Sequence, residues 1–176
     1  MTSYDLTDGK EPVSWAEIDY LKELAVGLPP NPLIVNIGAA TGVSTCAFLE
    51  TRPDALIYSI DVDSCEQEFA NARACGLDAT RILRLLGDSK EFGSHFPLRC
   101  DLLFVDGDHW NAAGDIEAWV KTGRVKAGGV VALHDYQEVC APNNPGSVYS
   151  DVQASCLMSY EKLGEVERVI AFRMPE

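Results

Sequence analysis

Short apolar runs and amphipathic segments alternate along most of the chain, and their order predicts the fold. Ser14 and Glu17 have the spacing of a helix capping box, and apolar residues then recur at helical spacing as far as Gly27. Further on, buried-strand patterns alternate with helical ones. The predicted strands are 33–37, 55–60, 81–86, 102–105 and 130–133, and the predicted helices between them are 41–49, 65–75 and 111–122. Such alternation is typical of a parallel sheet.

The C-terminal part of the chain has a different pattern. A turn-rich loop at 140–146 is followed by a predicted helix at 147–163 and a single final strand at 166–172, antiparallel or at a sheet edge. We therefore expect one α/β domain spanning residues 1–176, with a Rossmann-like, doubly wound, mostly parallel sheet and helices on both faces.

Composition and charge narrow the range of partners. The 176 residues are 47% hydrophobic and 23% charged, which is ordinary for a soluble domain. The net charge of −13 disfavours nucleic acid and anionic membranes as partners. The six cysteines form no Cys-x-x-Cys pair. The polar start lacks the pattern of a signal peptide, and no apolar run approaches the roughly 20 residues of a membrane span. We expect a cytoplasmic protein.

The ends of the predicted strands carry the candidate chemistry, because ligands of open parallel sheets bind there. The first strand runs into a loop of small residues, and Asp61 ends the second strand 23 residues after Gly38, which suits an acid that binds a ribose. Ala40 stands where a dinucleotide fingerprint needs its middle glycine, which disfavours a bound pyrophosphate. The loop residues that we expect to contact a cofactor are Asn36, Gly38, Ala39, Thr41 and Gly42.

The other strand ends bring more polar side chains to the same edge. The third strand ends before Asp88 and Ser89, which offer a carboxylate and free backbone N–H groups. The fourth and fifth ends contribute two acids and two histidines: Asp106, His109, His134 and Asp135. Crowding of this kind is costly unless a cation or a substrate organises it.

Taken in order, these motifs resemble the class I S-adenosylmethionine (SAM)-dependent methyltransferases. The resemblance extends from about Leu33 to Tyr136, and the Asp-Gly-Asp-His turn at 106–109 followed by Gly128-Gly129 and His134-Asp135 is similar to a small branch of cephalosporin-hydroxylase-like and O-methyltransferase proteins. This family commonly has two strands after the fifth, whereas only 166–172 is recognisable here. The resemblance therefore predicts a trimmed C-terminal sheet edge.

The resemblance also implies roles for individual residues. It places the methionine moiety of SAM over the loop from Gly38 to Gly42, with Asn36 near the amino group, the ribose on Asp61 and the adenine beside Asp88 and Ser89. Asp106 borders the cofactor, and with Asp135 it corresponds to the metal ligands of metal-using relatives. Tyr136 departs from their pattern, because those relatives carry an acid or an amide at its position.

We therefore expect a SAM-dependent methyltransferase that methylates a hydroxyl of a small molecule. The candidate catalytic residues are Asp106, His109 and His134. Either histidine could accept the proton of the acceptor hydroxyl. Alternatively, Mg²⁺ bound by Asp106 and Asp135 could lower the pKa of that hydroxyl, and we favour this metal-assisted version. The alternatives are a non-catalytic SAM-binding module and a nucleotide-dependent oxidoreductase. Because the chain shows little that could cover a substrate, we also expect a homodimer that completes the pocket.

Overall fold

The computed structural model describes residues 1–7, 9, 13–137 and 147–176. Its centre is a seven-stranded sheet with the order β3-β2-β1-β4-β5-β7-β6. The strands are β1 (Leu33–Ile37), β2 (Leu56–Asp61), β3 (Ile82–Leu86), β4 (Cys100–Val105), β5 (Val125–Leu133), β6 (Glu161–Val166) and β7 (Val169–Arg173). The pairs formed among β1 to β5 are parallel, whereas β7 is antiparallel to both β5 and β6.

Helices cover both faces of this sheet. They are α1 (Trp15–Val26), α2 (Val43–Thr51), α3 (Glu66–Ala74), α4 (Ser89–His95), α5 (Ala112–Asp115) and α6 (Val148–Gln153), with π-helical turns continuing α5 over Ile116–Lys121. One apolar core includes side chains of α1, α2 and α3, and the other includes residues of the α5 continuation and α6. No helix in the described part of the chain is long and apolar enough to cross a membrane.

The predicted Rossmann-like, doubly wound fold is confirmed. The five parallel strands and the helices between them lie within a few residues of the predicted bounds, and Ser14 forms the predicted capping box with Glu17. Small deviations at element ends are expected, since helix and strand termini carry the weakest sequence signals.

The C-terminal predictions need correction. The sheet edge is not trimmed, because β6 and β7 form a complete antiparallel hairpin where one strand was expected. The predicted helix at 147–163 ends at Gln153, and a 3-10 turn over Cys156–Ser159 precedes β6. Apolar residues at 157, 160 and 163 imitate helical spacing, while β6 is a largely polar edge strand with no strong pattern of its own. The loop at 140–146 lies outside the described residues.

Helix α4 was not predicted from the sequence. It begins after Asp88, whose side chain accepts a hydrogen bond from the backbone N–H of Lys90 at 2.9 Å. Gly93 lies within it because Trp119 packs there: a Cβ at this position would lie 2.6 Å from the indole nitrogen. The packing of a tryptophan that is distant in sequence thus explains the glycine in this short helix.

Strand order determines where a ligand can bind. The chain runs outward from β1 through β2 to β3, and then returns to place β4 on the other side of β1. At such a switch point the connections diverge and leave a crevice at the carboxyl ends of the strands. The carboxyl ends of β1 and β4 therefore mark the expected site.

Candidate active site

A cleft of about 450 Å³ opens at this switch point. Its volume lies within the usual range for small-molecule sites, roughly 300–1,000 Å³. Five of the residues predicted to bind cofactor line it: Gly38, Asp61, Asp88, Ser89 and Asp106. Ala40, which belongs to the predicted loop, also lines the cleft, as do Lys90 and Asp108, to which the sequence analysis assigned no cofactor contact.

Glycines allow the backbone to pass close to the cleft. Gly38 has a φ of +77°, and a Cβ there would lie 2.0 Å from the carbonyl oxygen of Asp106. Gly42 has a φ of +85°, and a Cβ there would lie 2.7 Å from the Cγ of Glu68. Both positions need glycine for conformation and for space. The loop between them is therefore packed against the end of β4 on one side and against α3 on the other.

Asp61 connects the first loop to the end of β2. Its Oδ2 accepts a hydrogen bond from the backbone N–H of Ala40 at 2.9 Å, and its Oδ1 accepts one from the N–H of Asp63 at 3.0 Å. A carboxylate has about four lone-pair positions, so acceptor capacity remains for two hydroxyls. Asp61 can thus fix the loop and bind a ribose with the same side chain.

Asp88, Ser89 and Lys90 form the wall next to β3. Lys90 Nζ lies 3.3 Å from Asp88 Oδ1 and 3.7 Å from Asp108 Oδ2. The hydroxyl of Ser89 donates to the carboxylate of the fully buried Asp115. Lys90 therefore places a positive charge between two acids on the rim of the cleft.

The remaining predicted loop residues do not all line the cleft. Asn36 is fully buried, and its amide nitrogen donates to the hydroxyls of Ser44 at 3.0 Å and Thr45 at 2.8 Å. The Asn36 side chain therefore joins β1 to the start of α2, whereas the sequence analysis placed it near the amino group of the cofactor. Ala39 and Thr41 line a small recess beside the cleft, and Gly42 lies at the start of α2 against Glu68.

A cluster of charged side chains lies beyond Asp106, where β4 and β5 end. Ligand atoms of Asp106, His134 and Asp135 all lie within 4.8 Å of one another. His134 Nδ1 is 3.0 Å from Asp106 Oδ1 and 3.4 Å from Asp135 Oδ1, but neither contact has hydrogen-bond geometry. Asp135 has a φ of +55°, a conformation that non-glycine residues hold at a cost and that recurs at functional sites.

Burial and charge act in opposite directions on the protonation of this cluster. Burial disfavours the charged imidazole, yet contacts with Asp106, Asp135 and Glu17 outweigh it and raise the pKa of His134 to about 11. Burial raises the pKa of Asp106, whereas His134 lowers the pKa of Asp135. The surrounding carboxyl groups therefore favour the charged form of His134, whereas its burial opposes it.

His109 occupies a different environment from His134. Its side chain is 53% exposed, and its Nδ1 lies 2.6 Å from Asp135 Oδ2. Trp110, the next residue, is 65% exposed on the same loop. One predicted histidine thus lies inside the cluster, while the other faces its open side.

The donors of this cluster fit a hard divalent cation. Two carboxylates converge from adjacent strands, and oxygen donors of this kind are what Mg²⁺ prefers. Tyr136 supplies no third carboxylate: it is buried, and its hydroxyl accepts a hydrogen bond from the Gln153 amide at 2.8 Å. Among the described residues, Asp106 and Asp135 are therefore the two carboxylates that this cluster could offer to such an ion, with His134 beside them.

Glu17 is one of the residues beside this cluster that the sequence analysis missed. It is 0% exposed, and its Oε2 lies 3.3 Å from His134 Nε2. Burial opposes its charge, but His134, the N–H of Ser14 and Arg168 hold the pKa of Glu17 at about 2. Its capping-box position accounted for the residue at the sequence level, and nothing in the local pattern indicated a second role.

The fold and the switch-point cleft define a class I methyltransferase architecture. A family model described as a methyltransferase domain matches residues 35–136, which is more than half of the chain. The chain therefore belongs to this methyltransferase-domain family, and the resemblance noted in its sequence is confirmed. A search of curated protein sequences finds no significant match.

Solved structures support the same fold. TomG, an O-methyltransferase of Streptomyces achromogenes solved with SAM, has a TM-score of 0.73 at 18% identity, over 97% of this chain and 84% of TomG. MycE, a mycinamycin-pathway methyltransferase solved with Mg, S-adenosylhomocysteine (SAH) and mycinamycin VI, has a TM-score of 0.71 at 16% identity, over 97% of this chain. An O-methyltransferase family protein of Burkholderia thailandensis has a TM-score of 0.68 at 12% identity, over 90% of this chain. The chain spans 51% of MycE and 55% of the Burkholderia protein.

Proposed function

We propose that the protein transfers a methyl group from SAM to a hydroxyl of a small molecule. The observation that carries this proposal is the double position of Asp106, which lines the cofactor cleft and also belongs to the carboxylate cluster. A methyl donor in the cleft would therefore lie beside the groups that can activate an acceptor. Holding two reactants in line is a main source of acceleration in such transfers.

The cofactor would be held by the cleft residues in the predicted order. Gly38 and its neighbours would accommodate the methionine moiety, Asp61 the ribose, and Asp88 with Ser89 the adenine. SAM supplies a methyl group on a sulfonium, whose positive charge suits the acidic rim. The complexes of TomG with SAM and of MycE with SAH support this assignment.

Asp106 and Asp135 would hold a divalent cation, for which Mg²⁺ is our proposal. Such a cation lowers the pKa of a bound hydroxyl and fixes its direction. The Mg in the MycE complex supports this part of the proposal.

Of the two predicted histidines, we assign the proton acceptor to His109. With its Nδ1 proton directed to Asp135, the neutral ring keeps a lone pair on Nε2 for the acceptor hydroxyl. His134 is 3% exposed, and the carboxyl groups around it raise its pKa, so it is less suited than His109 to accept the proton. Its role would be to compensate the charge of the two carboxylates.

The proposal is tested by titrating the protein calorimetrically with SAH, with and without Mg²⁺, and with NADH as the control. Binding of SAH and not of NADH supports the methyltransferase function over a nucleotide-dependent oxidoreductase. The absence of SAH binding under both conditions would overturn the proposal.

Catalysis is separated from mere binding by a second experiment. Radiolabelled methyl transfer from SAM is screened over hydroxylated small molecules, and Asp106→Ala is compared with wild type on any acceptor found. We expect the variant to lose transfer and to keep measurable SAH binding. Undiminished transfer by the variant would remove Asp106 from the mechanism, and SAH binding without transfer to any acceptor would favour the non-catalytic SAM-binding module.

The remaining predictions concern the whole protein. We infer one domain over residues 1–176, which is supported by a single sheet built from strands between Leu33 and Arg173. The cytoplasmic location stays a prediction, and the exclusion of nucleic acid partners rests on the net charge of −13. Because His109 and Trp110 beside the cluster are largely exposed among the described residues, we propose a homodimer that completes the site, which light scattering can test.

A further inference from the structure

Two residues that are distant in sequence meet behind the carboxylate cluster. Glu17 lies in the first turn of α1, and Arg168 lies in the turn between β6 and β7. Arg168 Nε is 3.1 Å from Glu17 Oε1, and Arg168 Nη2 is 3.2 Å from Glu17 Oε2. The guanidinium therefore binds the carboxylate with two nitrogens, the arrangement that restricts both partners most.

This Glu17–Arg168 pair contacts both His134 and Asp135. Glu17 Oε2 lies 3.3 Å from His134 Nε2, and Arg168 Nη1 lies 3.5 Å from Asp135 Oδ1. The backbone carbonyl of Arg168 also accepts a hydrogen bond from the N–H of Tyr136 at 2.9 Å. The pair thus borders the end of β5 on the side away from the cofactor cleft.

The pair is itself anchored by further contacts. Glu17 Oε2 accepts a hydrogen bond from the N–H of Ser14 at 2.7 Å, and Oε1 accepts one from the N–H of Arg168 at 3.0 Å. The hydroxyl of Ser14 donates to Glu167 in the same turn. Helix α1 and the β6–β7 turn are in this way fixed to each other directly behind the cluster.

We propose that Glu17 and Arg168 are positioning residues that orient Asp135 for the divalent cation, Arg168 directly and Glu17 through His134. The proposal rests on the proposed function, since it assumes that Asp106 and Asp135 hold a metal ion. Partners behind metal ligands fix ligand orientation, and their loss typically lowers metal affinity about 10- to 100-fold. The strained backbone of Asp135 makes such support more important, because its side-chain direction depends on an unfavourable φ.

Arg168→Gln tests this proposal, since positioning and simple electrostatics predict opposite results. Removing a positive charge next to a cation site should tighten Mn²⁺ binding if only charge matters. If Arg168 positions Asp135, Mn²⁺ binding should weaken about 10-fold or more. The measurement is a Mn²⁺ titration followed by electron paramagnetic resonance, with SAH affinity measured in parallel. We expect SAH affinity to change less than about twofold.

Two further variants keep the test decisive. Arg168→Lys retains the charge and loses the two-nitrogen contact, so it should also weaken Mn²⁺ binding, and it replaces Arg168→Gln if that variant does not fold. Arg173→Gln is the matched control: it lies on the same hairpin and pairs with Glu161 at 3.3 Å, away from the cluster. We expect it to bind Mn²⁺ as wild type does.

The outcomes separate this inference from the function on which it rests. Unchanged or tighter Mn²⁺ binding by the Arg168 variants, with Asp135→Asn abolishing it in the same assay, would overturn the positioning role and leave the metal site intact. Wild-type protein that binds SAH but no Mn²⁺ would overturn the metal site and, with it, the positioning role.

Discussion

The two halves of the candidate site are held in place by different means. The cofactor half, at the ends of β1 and β2, depends on glycine conformations and backbone N–H groups, as in the contact between Asp61 and Ala40. The acceptor half, at the ends of β4 and β5, depends on buried charges, among them Glu17 and His134. The first half is built from the ends of adjacent parallel strands, whereas the second also requires that α1 and the β6–β7 turn have docked against each other. Removal of a buried charge should therefore damage the acceptor half, and added volume at a glycine should damage the cofactor half.

The largest effect is expected from Glu17→Ala. The substitution leaves His134 and Arg168 without their shared carboxylate, and breaking a buried ion pair on one side costs about 3–5 kcal/mol. Urea unfolding measures the change in the free energy of unfolding. Glu23→Ala, an exposed position on the same helix, should change it by less than about 0.5 kcal/mol. A loss below about 1 kcal/mol for Glu17→Ala would mean that the acceptor half is not held by this charge.

Gly38→Ala should cost about 3 kcal/mol and mainly affect the cofactor half. A left-handed conformation costs an ordinary residue about 1–2 kcal/mol, and overpacking adds about 1–3 kcal/mol. The added Cβ would lie 2.0 Å from the carbonyl oxygen of Asp106, so the end of β4 must move. Urea unfolding measures the loss of stability, and SAH titration measures the loss of cofactor affinity.

Gly76→Ala is the matched control for that substitution. Gly76 has a φ of +73° and nothing within 4 Å of a Cβ, so only the conformational cost applies. Equal losses for the two variants would show that the close approach of Gly38 to β4 contributes nothing.

The charged state of His134 should make stability fall in alkaline solution. Burial opposes its charge but the surrounding carboxylates raise its pKa from 6.5 to about 11, so the stabilisation is complete below pH 6.5 and is lost as the pH rises towards 11. One proton corresponds to at most about 1.4 kcal/mol per pH unit, or roughly 2–3 kcal/mol between pH 7 and 9. Urea unfolding at pH 7, 8 and 9 measures the slope. His134→Asn should show a flatter profile, and parallel profiles would refute the buried imidazolium.

The same comparison explains how far the sequence could predict the site. Gly38, Asp61 and Asp88 could be found because each lies within two residues of the end of a recognisable strand, and parallel strands bring their carboxyl ends to one edge. Asp106 and Asp135 were found for the same reason. Glu17 and Arg168 were not, because 151 positions separate them and their meeting depends on how α1 docks against the β6–β7 turn.

Two of the predicted residues have buried side chains for a physical reason. Asn36 and His134 lie near the carboxyl ends of their strands as expected, but both side chains turn into the protein interior, where hydroxyls or carboxylates surround them. A strand pattern gives the position of a residue along the sheet edge. It does not give the polar partners beneath that edge, since those come from α2 and α1.

The smallest change in free energy is expected from Asp61→Asn, and this change should be confined to the cofactor half. The amide replaces one carboxylate oxygen by a donor, so the side chain loses its charge and either a ribose contact or a backbone contact. Hydrogen bonds to charged groups contribute about 1.5–3 kcal/mol, so SAH affinity should fall about 10-fold or more, while Mn²⁺ affinity stays unchanged. Asp63→Asn, in the same turn but outside the cleft lining, should bind SAH as wild type does. If Asp61→Asn weakened Mn²⁺ binding equally, the two halves would not be independent, and the contrast between backbone-built and charge-built regions would fail.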